Sequence, residues 1–265
     1  MITFLQTQAT ISPHCKLSAS INLFLLVIFA FQNANAQDPC SDPPQKRVNW
    51  SACDKQNAAL EGANLREAVL TGANLSNANL EKANLNEADL GFANLSGANL
   101  AKSKAKSIRL VNANLEKANL SQARFSNAQL DRANLQQAQL IGTQLNGSHL
   151  YDANLEQANL SQANLNRANL EQANLTEANL EDSNLAEAIL SHANLEDANL
   201  QRANLSKAKL NNANLVGVNF DGADLTGADL SNADINGATF QNAILDYTLW
   251  VNRKRCRPGS VGQCK

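Results

Sequence analysis

The chain has 265 residues, 22 Lys and Arg against 24 Asp and Glu, and only 5% aromatic residues. Ala, Asn and Leu dominate and Met occurs once, a composition that excludes the mixed core of ordinary globular domains. That bias directs attention to internal repeats before any other reading.

In chain order, residues 1–36 come first and read as a secretory signal peptide. They carry one charged residue, Lys16, ahead of the apolar run Ile21 to Phe31. That run is too short to span a bilayer comfortably. Ala34-Asn35-Ala36 supplies an A-x-A cleavage signal, so the mature chain is expected to begin at Gln37 and to be exported, either to a periplasm or to the outside. No second apolar segment follows, so no transmembrane segment is expected after cleavage. Cys15 leaves with the signal, and Cys40, Cys53, Cys256 and Cys264 remain. An even number in an exported chain reads as disulfides, with three connectivities open. The local pairs Cys40–Cys53 and Cys256–Cys264 are favoured, because the long array between them holds its ends apart.

From Ala58 to Trp250 the chain follows A-N/D-L-x-x. Centres at every fifth residue from Leu60 to Trp250 give 39 units with no insertion or deletion, and Leu holds 33 of them. Ala holds 32 of the 39 positions two residues before a centre. An α-helix cannot use this period: five residues advance about 500°, so successive Leu residues spiral around the surface. A continuous strand fails as well, because an odd period reverses the buried side at each unit. Three extended residues followed by a corner satisfy both constraints. Nine of the ten array glycines stand two residues after a centre, from Gly62 to Gly237, where a corner needs them. No proline interrupts the array.

The units ANLEQANLSQANLNRANL resemble the pentapeptide-repeat family over nearly all of the mature chain. The resemblance implies an all-β fold, a right-handed quadrilateral β-helix with four units per coil, in one elongated domain. The fourfold count comes only from the resemblance, since no clean twenty-residue recurrence is visible. Accepting it, the array makes a rod of roughly 45–50 Å. Solenoid ends need caps. Residues 37–57 and 251–265 flank the 58–250 array and are expected to be disulfide-stapled caps. Trp50 and Trp250 fall in register with the Leu column, and the flanks resemble end segments of exported members of the family.

Catalytic and cofactor signatures are absent from the sequence. His149 and His192 have no patterned partners and, on a four-unit coil, share a wall two coils apart. Asp224, Asp229 and Asp234 are expected to point from different walls, which disfavours an acid/base pair. The expectation is therefore no enzyme, no cofactor and no metal.

The outward positions are left to carry function. Residues 101–110 depart most from the consensus: Ala105 replaces a core Leu and Ile108 a core Ala. Lys102, Lys104, Lys106 and Arg109 crowd the same stretch, and with twenty residues per coil Lys82 lies below Lys102 and Arg124 above Lys104. With Tyr151, Phe92, Val111 and Ile141 nearby, these residues form a candidate interaction patch. The later half is acidic, with 14 Asp and Glu against four Lys and Arg between Leu150 and Trp250. The main functional reading is a structural or interaction scaffold of the bacterial envelope or extracellular space. Its partner would be a protein or an envelope surface, not nucleic acid, and the capped ends leave dimerisation open. The resemblance offers an alternative, a DNA-mimicking rod that binds gyrase, against which the export signal and the uninterrupted array both count.

Overall fold

The structure is a computed structural model that describes residues 38–265. The signal peptide expected at 1–36 lies outside the described residues. Within 39–265, every repeat contributes a short extended piece and a corner, and the residue before each centre bridges in parallel to the residue twenty positions on. These bridges run from Asn49↔Val69 to Asp229↔Leu249. One coil is therefore four units, as the family resemblance implied, and the section is a quadrilateral.

The backbone closes its hydrogen bonds within this geometry. Leu60 N–H donates to the Asn79 carbonyl at 2.8 Å and Asn79 N–H to the Ala58 carbonyl at 2.9 Å, a scheme repeated up the rod. At each corner the small residue donates back across the turn, as Ala63 does to Leu60 at 3.0 Å. The third residue of that turn needs positive φ, the mark of a type II turn. Every residue at this position from Arg47 to Tyr247 has φ between +55° and +73°. Glycine was the sequence signal for the corner. The ladder also forces Glu, Gln, Lys and Arg into the same conformation at many corners, against their intrinsic preference.

The four walls can be named by their bridging residues. Wall 1 holds Asn49, Val69, Asp89 and Arg109; wall 2 Asp54 and Asn74; wall 3 Ala59 and Asn79; wall 4 Asn64, Asn84, Lys104 and Arg124. Each continues upward in steps of twenty residues, about 4.8 Å apart. Inside, Leu and Ala columns are almost completely sealed from solvent. Most hydroxyls that replace core Ala donate to a Leu or Phe carbonyl, as Thr143 does to Leu120 and Ser148 to Phe125, both at 2.8 Å.

Both ends are stapled. Cys40–Cys53 and Cys256–Cys264 are disulfides, with Cα atoms 5.4 Å and 4.9 Å apart. At the N-terminal end a lysine takes a core-column position. Lys55 sits 4.1 Å above the Trp50 ring and donates to the Cys40 carbonyl at 2.6 Å. Regular coiling already starts near Arg47, inside the segment expected as a cap. At the other end the chain turns back and pairs antiparallel, Ile244 with Val261 and Leu249 with Arg255. This return covers the edges of walls 4 and 1, while Ile235 and Phe240 on walls 2 and 3 stay half-buried.

Candidate functional site

Walls 2 and 3 are committed to structure. On wall 2, Asn74 donates to Asp54 at 2.9 Å, Asn134 to Asn114 at 3.2 Å and Asn214 to Asn194 at 2.8 Å, in a side-chain ladder parallel to the backbone one. Wall 3 repeats it, with Asn199 donating to Asn179 at 3.2 Å. The same Asn oxygens accept the amide two residues ahead, as Asn79 does from Glu81 at 3.1 Å, and so set the corner. An Asn at these positions is thus occupied twice. Walls 4 and 1 break the pattern with Lys104, Arg124, Asp89, Arg109, His149 and Lys209.

The structure brings Lys102, Lys104, Lys106 and Arg124 together. Lys104 and Arg124 are consecutive rungs of wall 4, and Lys102 and Lys106 stand at its two corners; all four are exposed. Lys82 lies one coil below Lys102 but is engaged by Glu81 at 3.1 Å and Glu61 at 3.2 Å. Its pKa is raised by these bonds, Glu81 first. Arg109 is on wall 1 and pairs with Asp89 at 2.8 Å. Tyr151 does not join the group. It sits at the corner between walls 1 and 2, two coils higher than Val111, and its hydroxyl bonds Gln172 at 2.7 Å. Closeness in sequence misplaces it, because five residues turn the chain by a quarter of a coil. Phe92 and Val111 share that corner, whereas Ile141 lies on the corner between walls 3 and 4.

The core beneath wall 4 is rebuilt at the same height. Ala105 leaves room in its column, the column places Phe125 one coil above it, and Ile108 occupies the next small position; all three are fully buried. The Ser103 hydroxyl is buried without a hydrogen-bond partner among the described residues.

His149 stands on wall 1 while His192 falls in a corner, so the two do not share a wall as the sequence reading expected. Asp224, Asp229 and Asp234 bridge on walls 4, 1 and 2 respectively, pointing apart. Among the described residues no group of His, Cys, Asp and Glu is arranged to hold a metal ion, and no helix is long and apolar enough to cross a membrane. A feature the sequence reading missed is an open cleft of about 550 Å³ at the C-terminal return, lined by Trp250, Lys254, Arg255 and Arg257. Its only sequence signal was a basic run directly after a tryptophan.

The family described as pentapeptide repeats matches residues 63–101, 93–130, 108–147, 163–202, 178–215 and 203–242. Among solved structures, the chain is similar to HetL, a pentapeptide repeat protein involved in heterocyst differentiation regulation from the cyanobacterium Nostoc sp. strain PCC 7120. The identity is 31%, over 87% of this chain and 97% of that one, with a TM-score of 0.55. Trypsin-treated QnrB1, a plasmid-mediated fluoroquinolone resistance protein, aligns at 17% identity over 70% of this chain and 85% of its own, with a TM-score of 0.38. A pentapeptide repeat protein of the Arabidopsis thaliana thylakoid lumen aligns at 29% identity over 42% and 63%, with a TM-score of 0.24. No curated protein sequence matches the chain.

Proposed function

Because the chain belongs to the pentapeptide-repeat family and folds as its right-handed quadrilateral β-helix, we propose that it is a non-enzymatic interaction scaffold of the bacterial envelope or extracellular space. One observation carries this reading. Walls 2 and 3 carry asparagine ladders along most of their length, whereas wall 1 is mixed and wall 4, which has the ladder at Asn164 and Asn184, interrupts it with the charged side chains of Lys104 and Arg124. A stiff rod with two plain and two variable walls is suited to holding a protein partner on one side. The similarity to HetL, a pentapeptide repeat protein involved in a regulatory process, is in keeping with this reading.

Export is part of the proposal. The signal-like pattern of residues 1–36 and the disulfides at both ends suit an oxidising compartment. N-terminal sequencing after cell fractionation checks it: a cytoplasmic protein retaining residues 1–36 removes this half of the reading.

DNA mimicry is the weaker reading. Arg167 and Arg202 interrupt the acidic later half through ion pairs with Glu187 and Asp182, and wall 4 presents a cationic surface. The scaffold reading is tested with a photo-crosslinking residue placed in turn on each wall at a similar height: Gln144 on wall 4, Gln129 on wall 1, Asn134 on wall 2 and Gln139 on wall 3. Protein adducts formed in the source cells at Gln144 or Gln129 only are the expected result. Adducts on all walls alike, or on none, overturn it.

A further inference from the structure

Of the array Lys and Arg residues outside the wall 4 group, those from Arg66 to Arg202 each have a carboxylate within 3.7 Å, while Lys207 and Lys209 have no ion pair among the described residues. Among the described residues no ion pair reaches Lys102, Lys104, Lys106 or Arg124. Glu81 is near enough for Lys102 to affect it, but its strongest bond is to Lys82. The wall 4 group, four unpaired cations together, coincides with the rebuilt core of Ser103, Ala105 and Phe125. Outer and inner consensus are therefore abandoned together, on one wall and within two coils. Four like charges held this close repel one another, and an anionic partner relieves that repulsion.

The spacing points to the shape of the partner. Lys104 stands on the flat of wall 4 with Lys102 and Lys106 at the corners on either side, so the three charges cross the wall in one row. Arg124 adds a second row about 4.8 Å higher. Three of the four are lysines, which act as point charges and do not impose the bidentate geometry of arginine, a match for single carboxylates. The wall is flat and exposed, so no compact anion is enclosed; several weak contacts must act together. Residues 1–37 contain no Asp or Glu, so the N-terminal segment of this chain cannot supply the partner.

We propose that Lys102, Lys104, Lys106 and Arg124 form a docking site for an extended acidic protein segment that crosses wall 4 with carboxylates on alternate residues. This rests on the reading of wall 4 as a recognition surface.

The test measures binding of two fluorescent nine-residue peptides to the purified protein. One alternates Glu and Ser; the other has the same composition with its Glu residues in one block. The variant combines Lys102→Gln, Lys104→Asn, Lys106→Asn and Arg124→Gln, each taken from a neighbouring rung of its own column, so the coil is kept; circular dichroism confirms the fold. The expected result is that the alternating peptide binds more tightly than the block, weakens as salt rises, and loses at least about tenfold in affinity with the variant. Unchanged binding by the variant overturns the proposal. So does equal binding of both peptides, or displacement by inorganic phosphate at matched charge, since either shows diffuse ion attraction. Binding of phosphatidylglycerol vesicles without binding of the peptide assigns the wall to a membrane surface and overturns it as well. A change in sedimentation between protein and variant assigns the wall to a second copy, with the same consequence. Crosslinks on walls 4 and 1 together with a failed peptide leave the scaffold reading standing and remove this inference alone.

Discussion

Phe125 stands one coil above Ala105 in the same core column, so the largest side chain of that column directly follows the smallest. Every other described residue in the column, from Leu65 to Leu245, is leucine. The departure therefore conserves volume across two coils. Ala105→Leu alone overpacks the space below the ring and should cost about 1–3 kcal/mol. Phe125→Leu alone leaves a gap and should cost about 1 kcal/mol or more. The double variant restores two stacked leucines and should recover much of the loss, giving a coupling of about 0.5–3 kcal/mol in a denaturation cycle. Additive losses would show that the two positions pack independently.

Corner residues predict a second effect. Gln122 holds φ at +59°. Gln122→Gly relieves the left-handed conformation but frees the unfolded chain, and the two terms nearly cancel, to within about 0.5 kcal/mol. Gln122→Val places a β-branched residue in that conformation and should destabilise by about 1–2 kcal/mol. Urea denaturation of the two variants tests the order.

Asp89 gives the pH dependence. Partial burial raises its pKa, but the Gly91 amide at 2.9 Å and the Arg109 guanidinium at 2.8 Å outweigh burial and hold it below the usual carboxylate range. A carboxylate depressed in the folded state contributes stability above its unfolded pKa, about 3.9, and loses it as pH falls through the folded value. Arg109→Gln moves the folded pKa back towards the unfolded one. The protein should therefore exceed the variant in stability above about pH 4, and the two denaturation midpoints should converge at lower pH. A gap that persists undiminished to pH 2 assigns the effect of Arg109 to packing.

Gly91 is tied to the same pair. It is the one array glycine without positive φ, and a Cβ built there collides with the Arg109 guanidinium. Gly91→Ala should displace the arginine and remove its share of the acid-sensitive stability while keeping that of the residue-91 amide, although alanine suits the backbone. Denaturation of this variant at pH 7 and pH 3 checks the expectation: its pH dependence should resemble that of Arg109→Gln.

The C-terminal staple closes a short loop, Cys256 to Cys264, over the last coil. Replacing both cysteines with Ala should cost about 2–3 kcal/mol locally. In a repeat array such a loss appears first as fraying. Hydrogen exchange should quicken at Leu245 and Gly262, whose amides bond Ser260 and Ala243 across the return, while Leu150 stays protected. Faster exchange throughout the rod would instead mean that the cap controls global stability.

The period of five, the three-residue extended piece, the buried Ala and Leu columns, the corner glycines and the cysteine pairs were all legible in the residue order, because each depends on contacts within one or two units. The turn conformation forced on Glu, Gln and Lys was not, since their own preferences oppose it and only the ladder imposes it. Which unit stacks on which was equally hidden. Thirty-nine nearly identical units fit many coil lengths by pattern alone, and the angle turned at each corner selects the twenty-residue coil. That choice separates Tyr151 from Lys104, gives Lys82 and Arg109 their carboxylates and leaves Lys102, Lys104, Lys106 and Arg124 side by side without any. A column of side chains twenty residues apart has no local signal. It exists only once the chain has closed its coil.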